Sequence, residues 1–150
     1  MLEILTICAF ALFLAAAVSD LGWRRIPNAL CAGIAGIGVL RLGVTQADWG
    51  NVAADLGAAT AILLLGALVF VRGWLGGGDV KLSAAAALWV GAANVALFLT
   101  TMALADGVLA IIWAGRRAYS PPVDEEAAAL PYGLAIAAGG IVATMNLAPH

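Results

Sequence analysis

Two carboxylates in this chain stand where hydrocarbon would be expected. Asp79 follows three consecutive glycines, Gly76-Gly77-Gly78, which end one long apolar run, and Val80-Lys81-Leu82 leads into the next. Asp20 closes the first apolar run, just before Leu21-Gly22-Trp23-Arg24-Arg25-Ile26-Pro27-Asn28. An ionisable residue at the edge of a bilayer core is costly and marks a functional site by default. Glycine has no Cβ to clash, so the backbone at 76–78 can bend and an extended peptide can lie beside Asp79. Two carboxylates that meet in a low-dielectric pocket cannot both ionise cheaply, so one holds a proton while the other is charged. The charged one can take a proton from water, and the neutral one can hydrogen-bond or protonate a carbonyl. That is enough for peptide-bond hydrolysis by water, with neither a metal nor a covalent intermediate. The titration then belongs to the pair and not to either residue.

Holding two such groups together requires a scaffold in lipid. The chain has 150 residues, 64% of them hydrophobic and only 11% charged, and a mean hydropathy of +1.04. No soluble domain of this size needs so much apolar surface, so the fold class is all-α, a polytopic membrane protein. Apolar runs fall at roughly 2–19, 28–44, 52–71, 79–93, 94–114 and 131–148. Most approach the ~20 residues that cross a ~30 Å hydrocarbon core. Residues 79–114 are too many for one span, and Gly91-Ala92-Ala93-Asn94 is the expected break. The expectation is a bundle of about six transmembrane helices forming one domain, residues 1–150. The first run carries Glu3 and has its basic pair after it, the wrong polarity for a cleaved signal peptide.

Charge placement orients the bundle. Arg24 and Arg25 follow helix 1, Arg72 and Lys81 flank the glycines after helix 3, and Arg116 and Arg117 follow helix 5. In a six-helix chain these loops share one face, which the positive-inside rule makes cytoplasmic. Both termini then lie outside, and Asp20 and Asp79 fall on the same face at similar depth. Arg41 is the exception, near the outer end of helix 2, where a long side chain can snorkel to the interface. Trp23, Trp49, Trp74, Trp89 and Trp113 all fall near proposed helix ends, where amphipathic rings form interfacial belts. The polar stretch at about 115–130, with Pro121, Pro122, Asp124, Glu125 and Glu126, reads as a solvated cytoplasmic connector.

Several functions are excluded. No basic cluster is longer than two residues, so nothing points to nucleic acid. Cys8 and Cys31 sit alone in apolar runs, and the single histidine, His150, is the last residue. Neither a zinc site nor a disulfide framework is expected, and no cofactor is called for.

Gly76-Gly77-Gly78-Asp79 fits the Gly-x-Gly-Asp motif of intramembrane aspartic proteases. With Val80-Lys81-Leu82, the upstream Asp20 through Ile26-Pro27-Asn28, and the late Pro131-Tyr132-Gly133-Leu134-Ala135, the chain resembles the type IV prepilin peptidases. The resemblance implies an endopeptidase of the bacterial cytoplasmic membrane. Such enzymes remove the short basic leader of type IV prepilins and pseudopilins, just ahead of the apolar helix that becomes the pilin's N-terminus. Asp20 and Asp79 match the two catalytic aspartates. Larger members carry a cytoplasmic region with paired cysteines and also N-methylate the product. This chain has no Cys-x-x-Cys and resembles the compact form serving Flp/Tad-type pili, so methyl transfer is not assigned to it. The partners implied are the prepilin and the lipid bilayer.

Supporting residues follow from position. Gly76 and Gly78 give the approach to Asp79. Lys81, two residues on, is not face to face with Asp79 on a helix, but could meet acidic groups of a substrate or lipid. Pro27 and Asn28 suit a helix start that orients Asp20 indirectly. The turn at Pro131-Tyr132-Gly133 opens helix 6 on the active face, where Tyr132 could shape a substrate groove. Gly33 and Gly36 on helix 2, and Gly133, Gly139 and Gly140 on helix 6, allow close helix crossings. Asp106, about ten residues from the basic loop at ~1.5 Å per residue, lies well inside the membrane and should face the bundle interior. Asp55, near the outer end of helix 3, is too far from the active face to join the pair. Two rivals remain. One is a Gly-x-Gly-Asp protease resembling presenilins or signal-peptide peptidases. The other is a small ion- or proton-coupled transporter using Asp20, Asp79 and Asp106 as a relay.

Overall fold

The computed structural model describes residues 1–119 and 130–147. Among them the fold is all-helical: α1 (Leu2–Trp23), α2 (Asn28–Val44), α3 (Trp49–Val71), α4 (Gly77–Val90), α5 (Ala92–Tyr119) and α6 (Tyr132–Met145). Three of the helices, α1, α3 and α5, are long and apolar enough to cross a membrane. With α2 and α6 shorter but also apolar, this is an integral membrane protein. Most of the polar connector, residues 120–129, and His150 lie outside the described residues. Arg116 and Arg117 do not open that connector, because α5 carries on through them to Tyr119.

The shortest spans are set by their surroundings. At 14 residues, α4 is about 21 Å long, too short to face lipid along a full bilayer. It does not need to. It packs against α2, α3, α5 and α6, and nine of its residues, including Leu82, Leu88, Trp89 and Val90, are buried. A helix apolar on every side belongs inside a bundle. The exposed apolar side chains sit elsewhere, as with Leu64, Leu65 and Leu68 on α3 and Leu104, Val108 and Ile111 on α5. Lipid, not water, would cover them.

The core explains one tryptophan that the interfacial reading misplaced. Trp23, Trp49 and Trp74 are exposed at helix ends, but Trp89 is fully buried. Its indole N–H donates to Thr144 Oγ1 at 2.8 Å, joining α4 to α6. A buried indole needs such a partner. Close crossings also differ in part from expectation. Gly36 faces open space, and Gly38 instead meets the backbone of α4 at Leu88 and Trp89.

At the end of the bundle away from Asp79, a clasp joins three helices. Arg41 of α2 does not snorkel to the interface; its guanidinium pairs with the Asp55 carboxylate of α3. Asp55 Oδ1 also accepts the N–H of Ala92 at 2.7 Å, satisfying a donor that the first turn of α5 would otherwise leave bare. The α4–α5 break falls at Gly91, with φ +77°. A side chain there would collide with Arg41 and Asp55 as well as strain the backbone. Arg41→Leu should therefore strand a buried carboxylate and cost about 3 kcal/mol. The check is the midpoint of unfolding of the purified protein in mixed micelles, which should fall for Arg41→Leu and partly recover in Arg41→Leu/Asp55→Leu.

Candidate active site

Chain reversals bring four helix ends to one place. Helix α1 stops where Arg24 adopts a left-handed conformation, φ 51°, and donates its N–H to the Asp20 carbonyl at 3.0 Å. Ser19 Oγ donates to the Arg25 carbonyl at 2.7 Å, pulling the turn back over the helix end. Pro27 then caps α2 with its ring-fixed φ of −59°. Asn28 begins α2 and accepts from Lys81 Nζ at 3.0 Å, tying the starts of α2 and α4 together. The Trp113 ring of α5 lies 5.6 Å from the Arg24 guanidinium and 5.8 Å from that of Arg116, so the ends of α1 and α5 meet over one aromatic face.

The glycines are not a loop. Gly76 is the N-cap of α4, and Gly77 and Gly78 form its first turn. Asp79 is thus the third residue of the helix, and its carboxylate folds back over Gly76, where a Cβ would come within 2.7 Å of Oδ2. A carboxylate at this position stands in for the missing capping side chain. Lys81 points the other way, toward Asn28, as the two-residue offset on a helix requires.

Asp20 is buried, at 7% exposure. Its Oδ2 accepts the backbone N–H of Gly133 at 2.8 Å, across 113 residues of chain. A Cβ on Gly133 would lie 2.9 Å from the Asp20 carboxyl group, so only glycine lets the backbone come this close. Asp20 and Asp79 wall one cleft of about 300 Å³, together with Arg24, Arg25, Ile26 and the three glycines. At about 30 Å³ per water, that is space for several waters or a short extended peptide. Asp79 lies close enough to Asp20, and to Asp106 on α5, to feel their charge.

The residues singled out from sequence thus divide. Asp20, Asp79, Gly76 and Gly78 share the cleft. Lys81 and Asn28 lie just beside it, facing a neighbouring groove. Pro27 caps α2 and does not line the cleft, nor does Tyr132, which is half-buried in the turn that presents Gly133. Asp106 is half-buried, and its buried Oδ1 has no hydrogen-bond partner among the described residues. Among the described residues no three His, Cys, Asp or Glu side chains gather as a metal would require. Two contributions were not read from the sequence. Ile26 packs on Gly78, and the Gly133 amide holds Asp20. A backbone N–H has no signature in residue type, although the glycine that exposes it does.

The model of the type IV leader peptidase family matches residues 7–114, well over half of the chain and both aspartates with it. The chain belongs to the type IV leader peptidase family. Membership makes it a membrane-embedded peptidase. No curated protein and no solved structure matches it. The family match ends before α6, so the Gly133 bond to Asp20 is a feature of this fold and not of the matched segment.

Displacing a reacting group by about 1 Å can cost about 10²-fold in rate. Gly133→Ala must push the Asp20 carboxyl group aside, and peptidase turnover should fall by that order. The check is turnover per mole of protein that still elutes as a folded species on size exclusion.

Proposed function

We propose that this leader peptidase is an aspartic endopeptidase, with Asp20 and Asp79 as its catalytic pair. The observation that carries the reading is the shared cleft: two carboxylates from different helices, at one end of the bundle, with a glycine turn beside them. One carboxylate accepts a proton from water as it attacks, and the other, protonated, polarises the scissile carbonyl. Gly76, Gly77 and Gly78 leave room for an extended strand, because the peptide bond of an intact helix is shielded from attack. The Gly133 N–H fixes the Oδ2 of Asp20 at the cleft wall.

The substrate class is a type IV prepilin or pseudopilin, cut between its basic leader and its apolar helix. The short link from α1 to α2, Trp23 to Asn28, with Cys8 and Cys31 apart on the two helices, supports the Flp type. The enzyme sits in the bacterial cytoplasmic membrane as one embedded domain. The basic residues Arg24, Arg25, Arg72 and Lys81 gather at the ends of α1, α3 and α4, and by the positive-inside rule this supports a cleft on the cytoplasmic side and both termini outside. A proton relay would need carboxylates along a path across the bilayer. Asp55, the one nearer the opposite end, is held instead by Arg41 and the Ala92 amide.

Co-expression with an Flp-type prepilin tests the reading. Mass spectrometry of the pilin should show the leader removed by the wild type and retained with either Asp20→Asn or Asp79→Asn. Processing that survives Asp79→Asn would remove the pair from the mechanism.

A further inference from the structure

A second concavity lies against the catalytic turn. It is an open groove of about 520 Å³ between α2, α3 and α4, with Ala35, Ala59 and Ala85 along it and Leu63 and Leu88 at its sides. Its lining is apolar apart from the Thr60 hydroxyl, the Cys31 thiol and one end, where Asn28 and Lys81 stand. Two contacts join that end to the cleft. The Cys31 thiol, in the groove, lies 3.9 Å from the Gly78 carbonyl in the cleft wall. Lys81 is in the groove and Asp79 in the cleft, two residues apart on the same turn of α4. A chain lying in the groove and continuing past Lys81 therefore arrives at Asp79.

We propose that this groove seats the apolar helix of the substrate, and that Lys81 receives a side-chain carboxylate carried near the start of that helix. The proposal rests on the prepilin-peptidase reading and specifies the face of the bundle that the substrate uses. Charge selects this groove over its competitor. A second apolar groove of about 400 Å³, between α5 and α6 at Leu104, Val108 and Ala138, carries no charged residue. Lys81 is exposed, and among the described residues it holds the neutral Asn28 as its hydrogen-bond partner and is the one charged residue of the first groove. At a lipid-facing mouth a cation with a neutral partner attracts a carboxylate strongly, because water does not screen the pair as it would on a soluble surface. Helix-on-helix seating in lipid needs small side chains that let backbones approach, which the alanines supply.

The test uses the full chain in its membrane with an Flp-type prepilin. In the Asp79→Asn background, which should hold the substrate uncut, benzoylphenylalanine is introduced at position 59 or, for comparison, at position 108. Position 59 should crosslink to the prepilin's apolar helix and position 108 should not. In the active enzyme, Lys81→Glu should raise KM about tenfold, the loss of one favourable charge contact worth about 1.4 kcal/mol. A prepilin with its early carboxylate changed to lysine should restore it. Position 59 capturing only lipid or a second copy of this chain, or position 108 capturing the prepilin, overturns the proposal. An unchanged KM for Lys81→Glu overturns the role of Lys81. If the wild type cuts the prepilin and these results fail, only the groove assignment falls. If the wild type leaves every prepilin intact, the peptidase reading falls with it.

Discussion

The hydrogen bond from the Gly133 amide to the Asp20 carboxylate holds this molecule's chemistry in place. It joins the last helix to the end of the first, and that last helix also packs on α4. A buried carboxylate in an apolar setting needs partners, and a backbone amide is one that occupies almost no space. Glycine at 133 is what makes the approach possible. Anchored this way, Asp20 is held in the wall of the cleft that Asp79 also lines. On the proposed reading, an acidic group that would be a liability in lipid is half of a reacting pair.

The two ends of the bundle solve the same problem differently. At the far end, both oxygens of Asp55 are engaged, one by Arg41 and one by the first amide of α5. That carboxylate ties α2 to the α4–α5 turn at Gly91. At the cleft end, Asp79 serves its own helix N-terminus and faces open volume. Whether a membrane carboxylate is structural or reactive thus depends on how many of its lone pairs the fold consumes. Asp106 falls between these cases, with one buried oxygen left without a partner among the described residues.

Much of this was legible in the residues. The apolar runs, the paired basic loops and the glycine turn were sufficient to bring Asp20 and Asp79 to one face. The break at Gly91 followed from a run too long for one crossing. Other features escaped because they depend on which residues meet across helices. Arg41 and Asp55 are 14 residues apart on different helices, and each alone reads as an interfacial charge. Trp89 lies near a helix end in sequence, but the short α4 is enclosed, which puts its indole in the core. Gly38 rather than Gly36 makes the close crossing of α2, a matter of helix rotation that spacing leaves open.

The central claim is that Asp20 and Asp79 act as one unit, one charged and one protonated. The pH dependence of kcat/KM on a prepilin peptide tests it most directly, because such a pair works only between its two macroscopic ionisations. The account predicts a bell-shaped profile with a limb on each side of the optimum. A rate that rises through a single ionisation to a plateau would contradict it, since one carboxylate would then suffice.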